Sequence, residues 1–125
     1  MNISTVIQSI KSAYQTAFTG KTLYLQLAPG NALPPYVVLR LGSITPNEPD
    51  LTNRDWSMNG TFYLFDTSDT AIIADVETLA SAYDRNTAMP GIYSSLVQSV
   101  DIDVNYTDQG AFWSASVPVE FRWSS

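Results

Sequence analysis

The sequence predicts an α+β fold: a mostly antiparallel or mixed sheet with two helices packed on one of its faces. Three observations predict it. Two segments carry apolar residues at intervals of three and four, the spacing of one helical face. Several others alternate apolar and polar residues with the two-residue period of a half-buried strand. The order of these segments is helix, strands, helix, then a C-terminal hairpin, which groups strands with strands rather than interleaving them with helices.

The opening helix is marked by Ile3, Val6, Ile7, Ile10, Ala13, Tyr14, Ala17 and Phe18 on one stripe, with Gln8, Lys11, Ser12 and Gln15 facing away. Asn2, Ser4 and Thr5 are candidate N-caps, Thr5 with Gln8 at capping-box spacing, and Gly20 is a plausible stop. "TLYLQLAPG" sets Leu23, Leu25 and Leu27 against Tyr24 and Gln26, and Pro29-Gly30 ends it. "PPYVVLRLGSI" is more continuously apolar, as a strand covered on both faces or lying centrally would be. The segment from Thr45 to Trp56 holds two prolines, two asparagines and three acidic residues, so it reads as a long polar loop or an extended hairpin arm. "WSMNGTFYLFD" resumes strand character, with Trp56, Met58, Phe62 and Leu64 on one parity.

The second helix follows, capped by Ser68, Asp69 or Thr70, with Ile72, Ile73, Val76, Leu79, Ala80 and Tyr83 as its stripe. Asp75 and Glu77 lie towards its N-terminal end, where the helix dipole favours anions. In the tail, Val100, Ile102, Val104 and Tyr106 alternate with Asp101, Asp103, Asn105 and Thr107. After the turn "TDQG", Trp113, Ala115, Val117, Val119, Phe121 and Trp123 make one face of a second strand. Pro118 removes a ladder donor from that strand, so it is expected at a sheet edge or bulged there.

Composition narrows the function. A chain of 125 residues with 45% apolar content fits one domain, residues 1–125, with one core. It has no cysteine and no histidine, which removes disulfides, thiolate nucleophiles, the usual zinc sites and imidazole acid–base chemistry. Its net charge of −6 is the wrong sign for gripping nucleic acid. The start lacks the basic and apolar regions of a signal peptide, and no window is apolar for long enough to cross a membrane, so a soluble protein made in a reducing cytoplasm is expected.

"DIDVNYTDQG" places Asp101, Asp103 and Asn105 at the spacing of the first calcium ligands of an EF-hand. The reading fails on its own terms. The glycine required at the sixth loop position is Tyr106, and the glutamate required at the twelfth is Phe112. Strand pleating explains the spacing, and no metal or cofactor is expected. Paired carboxylates such as Asp66 with Asp69, or Asp101 with Asp103, raise an acid–base enzyme as a runner-up. Each pair sits within one short segment, whereas two such acids must flank a substrate across a cleft. No catalytic residue is assigned.

The N-terminal helix, the "PPYVVLRL" strand ending in "SITPNEPD", the aromatic strand running into an acidic-capped helix and the "VQSVDIDVNYTDQG" hairpin together resemble the tail terminator proteins of long-tailed bacteriophages. These are also called tail completion or tail-to-head joining proteins, and the resemblance covers nearly the full chain. It implies a structural virion protein, made in the cytoplasm of a bacterial host, that assembles with itself as a homohexameric ring on the head-proximal end of the tail. Such a ring stops polymerisation of the tail-tube protein and offers the docking surface for the head connector or neck protein. DNA passes through its lumen without specific binding.

On that reading Asp101, Asp103 and Asp108 are candidate lumen-facing carboxylates that repel the passing phosphate backbone; an ordinary solvated strand face is the plainer alternative. Glu48, Asp50, Arg54, Asp55 and Trp56 are candidates for a loop that reaches a neighbouring subunit across a head-to-tail contact, against the plainer reading of a surface loop. Trp56, Trp113 and Trp123 serve either as interface anchors or as core. The alternative function is a small monomeric binding module for a carbohydrate or receptor, using exposed aromatics.

Overall fold

The computed structural model describes residues 3–46, 55–107 and 110–124. Helix α1 spans Ile3–Ala17, strand β1 Thr22–Leu25, β2 Tyr36–Pro46, β3 Asp55–Asp66, helix α2 Asp69–Tyr83, β4 Ser94–Val97, β5 Asp101–Thr107 and β6 Gly110–Ser124. The six strands form one mixed sheet in the order β1-β2-β3-β6-β4, with β5 also paired to β6. Among the described strands, only β1 and β2 run parallel to each other. The α+β architecture with strands, helix and C-terminal hairpin in the expected order is therefore the observed one.

Strand parity decides what lies beneath the helices. On β3, Met58, Gly60, Phe62 and Leu64 are buried while their odd-numbered neighbours are half-buried or exposed. Their register partners Val37 and Leu39 on β2, and Ala115, Val117, Val119 and Phe121 on β6, point the same way, as does Trp123 opposite Trp56. Against this face α1 lays Val6, Ile10, Tyr14 and Phe18, and α2 lays Ile72, Leu79 and Tyr83, in one continuous apolar cluster. Burial of these large side chains stabilises the fold by about 1.5–3 kcal/mol each and is the main stabilising term. The buried tyrosines still satisfy their hydroxyls: Tyr83 Oη donates to the Ile10 carbonyl at 2.6 Å, and Tyr14 Oη to the Lys21 carbonyl at 2.9 Å.

Of the three capping candidates, Ser68 caps α2: its backbone is extended and its Oγ accepts from the Ala71 N–H at 3.1 Å. Ser68→Ala is expected to lower stability by about 1 kcal/mol, read as a lower urea midpoint with an unchanged m-value. At the other end, Asp84 N–H bonds the Ala80 carbonyl, Arg85 adopts φ 55°, and Arg85 N–H reaches Ser95, so the exit of α2 leads straight into β4.

Several local expectations are corrected. β1 stops at Leu25 because Gln26 turns into the left-handed region at φ 71°, so Leu27 is not part of a buried strand face and is 81% exposed. β4 is absent from the sequence expectation because its four residues lack a strand-length alternation. Pro118 lies neither at an edge nor in a bulge, since β6 is flanked by β3 on one side and by β4 and β5 on the other. The Pro118 carbonyl accepts from Gln98 N–H at 2.8 Å. In a strand, the N and O of one residue point to the same side, so the missing donor faces the interruption between β4 and β5, where no ladder bond is lost.

Candidate functional site

The two faces of the sheet differ. Opposite the helices, β1 and β2 present Tyr24, Tyr36, Val38 and Arg40, β3 presents Tyr63 and Phe65, and β6 presents Phe112, Ser114 and Ser116. Aromatic rings cross this helix-free face from strand to strand. Tyr24 meets Tyr36 edge-on at 5.9 Å between centroids, Tyr36 stacks on Phe65 at 4.7 Å, and Phe65 lies 6.2 Å from Phe112. The segment after β1 folds beside them, and Leu27, Pro29, Tyr36, Arg40 and Phe65 help line an open groove of about 430 Å³.

At the far end of the sheet, Asp101 and Asp103 are opposite Ser116 and Ser114 on β6, which places both carboxylates on this same helix-free face, exposed. Neither pairs with a cation among the described residues. Asp108 lies outside the described residues. The other side of β5 carries Ile102, Val104 and Tyr106, with Ile102 46% and Tyr106 81% exposed. β5 thus projects past the helices with apolar side chains on one face and acids on the other. Asp103 Oδ1 also accepts from the Val104 amide at 2.8 Å.

The candidate loop residues divide. Glu48, Asp50 and Arg54 lie outside the described residues. Asp55 and Trp56 are not in a loop: they open β3, opposite Ser124 and Trp123 of β6. Asp55 accepts from Ser124 Oγ at 2.7 Å, and Trp56 packs half-buried against the core. Trp123 is buried and Trp113 half-buried against the same core, so the core alternative holds for both.

The structure brings together one charged group that residue periodicity alone does not reveal. Lys21 Nζ lies 3.2 Å from Asp66 Oδ2 and forms a second, shorter ion pair with Asp75 Oδ1. The two carboxylates are almost completely buried, and the lysine is largely so. The site joins the entry to β1, the end of β3 and the middle of α2. Burial works against the Lys21 ammonium, but Asp75 and Asp66 outweigh it and hold its pKa above the ordinary lysine value. Burial, reinforced by Asp66, pushes Asp75 up to about 6 against the opposing pull of Lys21. Burial also works against ionised Asp66, yet hydrogen bonds from Asp75, the Thr67 amide and Lys21 hold its pKa below the usual carboxylate value. Asp75 therefore serves a buried ion pair rather than the helix dipole.

Asp66 and Asp69 do not form an acid–base pair, since Asp69 is exposed in the first turn of α2 and bonds the Thr70 amide. Among the described residues no three His, Cys, Asp or Glu side chains converge as a metal site requires, and no helix is long and apolar enough to cross a membrane.

No family model matches the chain, and no curated protein matches its sequence. Its backbone is similar to a solved chain from the virion of a native gene transfer agent (GTA) particle, with a TM-score of 0.61. The match covers 96% of this chain and 92% of that one at 13% sequence identity. At that identity the likeness is one of fold.

Proposed function

We propose that this chain is a structural virion protein of the tail-terminator type. It forms a ring on the head-proximal end of a phage-like tail tube, ends tube polymerisation and presents the docking surface for the head connector. The observation that carries the reading is the fold likeness to a gene transfer agent virion chain, which spans almost all of both chains. It converges with the resemblance drawn from the sequence. The reading includes no enzymatic activity: the two buried carboxylates are engaged by Lys21 and hold β1, β3 and α2 together.

The helix-free face is the natural wall of the lumen on this reading. It carries Asp101 and Asp103, exposed and without a cation partner among the described residues, and a ring surrounding DNA functions by not adhering to it. The aromatic row from Tyr24 to Phe112 favours a second reading, a monomeric binding module whose ligand stacks on that face.

Light scattering of the purified protein across a concentration series, alone and with tail-tube protein, separates the two. A closed oligomer near six times the 13.8 kDa chain mass is expected, alone or at tube ends. A strict monomer that never associates with tubes would overturn the ring and favour the binding module.

A further inference from the structure

We propose that β5 of one copy adds as an antiparallel strand to the open edge of β1 in the next copy, so that the ring wall is one continuous sheet. The inference rests on the ring reading above and names the surfaces that would close it.

Among the described residues, both end strands leave backbone groups without a strand partner. Gln26 N–H donates to the Leu39 carbonyl at 2.8 Å, so residues of its parity, Thr22 and Tyr24, turn their backbones towards β2. Leu23 and Leu25 then turn theirs to the open side, where Leu27 N–H donates to the Leu25 carbonyl. At the opposite end, the Gln98–Pro118 bond fixes which residues of β6 face outward from β3, and Asp101, Asp103 and Asn105 bond to those. Ile102, Val104 and Tyr106 turn their backbones to the open side. The Val104 amide is capped there by Asp103, which keeps the exposed edge from pairing indiscriminately in the free subunit.

Direction and face agree. β1 is parallel to β2, β2 is antiparallel to β3, β3 to β6 and β6 to β5, so β1 and β5 run oppositely within one chain. A neighbour related by rotation about an axis along the strands keeps both strand direction and helix side. Its β1 therefore meets β5 antiparallel, with helices on the same side.

One register satisfies backbone and side chains together. Setting Val104 opposite Leu23 gives two reciprocal amide–carbonyl bonds and a third from Leu25 N–H to the Ile102 carbonyl. On the helix side, Ile102, 46% exposed, covers Leu25, 37% exposed. Tyr106 enters the groove of about 380 Å³ beside β1, lined by Tyr14, Phe18, Lys21 and Leu23. On the helix-free side, Asp101 falls in the row of Gln26 and Arg40. Arg40 is exposed and has no ion-pair partner among the described residues. It lies two strands away, about 10 Å, within reach of an arginine–aspartate contact. The acidic edge of one copy thus meets an unpaired cation of the next.

The chain has no cysteine, so an engineered pair reports cleanly. In this register Tyr24 and Asp103 are a non-hydrogen-bonded pair, the closest approach in an antiparallel ladder. Within one chain they lie four strands apart, roughly 19 Å, too far to bridge. Oxidised Tyr24→Cys/Asp103→Cys is expected to give a covalent ladder ending at the ring size, whereas each single variant stops at dimers. In parallel, Asp101→Arg and Arg40→Asp should each weaken assembly about tenfold, and combining them should restore it. A wild-type oligomer whose variants give neither ladder nor charge rescue overturns this interface and leaves the ring standing. A wild type that forms no oligomer, even with tubes, removes the ring and this interface with it.

Discussion

Lys21→Met is expected to destabilise the protein by about 3 kcal/mol at neutral pH, lowering Tm by roughly 10 °C. The substitution keeps most of the side-chain volume and removes only the cation. Two nearly buried carboxylates, Asp66 and Asp75, are then left facing each other without a counter-charge. Removing one partner of such a group costs more than the group contributes, because the remaining charges stay desolvated. The loss falls at the low end of the range for buried pairs because the lysine side chain is 22% exposed.

The pH dependence identifies the mechanism. In the wild type, Lys21 has a raised pKa, so its contribution is present below the unfolded lysine value of 10.5 and is lost as pH rises through the folded one. Asp66 has a lowered pKa, so its contribution is present above the unfolded value of 3.8 and is lost on acidification. Asp75 has the opposite sign: the folded chain keeps its proton up to about pH 6, so its contribution declines as pH rises from 3.8 to that value. Without Lys21 both carboxyls favour the protonated form. The deficit of the variant should therefore be greatest near pH 7 and shrink by pH 5, measured as the difference in urea midpoints. A deficit that stays constant between those pH values would show that lost packing, rather than unpaired charge, is responsible.

That ion-paired group also marks the limit of what the sequence discloses. Asp66 continues the even parity of Met58, Phe62 and Leu64 on β3, and Asp75 stands three residues after Ile72 and four before Leu79 on the buried side of α2. Two acids at core positions signal a buried cation, and that signal was present in the periodicity. Which cation answers them was not, because Lys21 reaches the site from a connection whose path depends on the packing of α1 against the sheet. The helices and long strands were legible because each buries one face, and burial writes its period into the residue order. Strand order was not. Pairing between β3 and β6, and the placement of Pro118 beside a gap rather than at an edge, are long-range choices that leave no local trace. For the candidate site, pleat parity placed Asp101 and Asp103 together on one face, but only the sheet order shows that this face is opposite the helices and that β5 is an edge.

In the ring proposed above, Asp103→Lys is expected to change a lumen indifferent to DNA into one that holds duplex DNA. The position is exposed on an edge strand, where lysine is well tolerated, so folding stability should move by no more than about 0.5 kcal/mol. Asp101 is left in place because its proposed contact with Arg40 belongs to assembly; Asp103 itself lies opposite Tyr24 in the proposed interface and caps the Val104 amide, so DNA retention is read only from variant oligomers whose mass equals that of the wild type. If the helix-free face lines the lumen, each subunit loses a negative charge there and gains a positive one, and the new lysines surround the phosphate backbone. Binding through such contacts is driven by counterion release. Retention of DNA by the variant should therefore be evident at about 50 mM salt and fall by orders of magnitude by about 200 mM, while the wild type retains none at either. Filter binding with a fluorescent duplex measures both. An assembled Asp103→Lys ring that remains as indifferent to DNA as the wild type would place β5 away from the lumen and turn the helix-free face towards the tube or the connector instead.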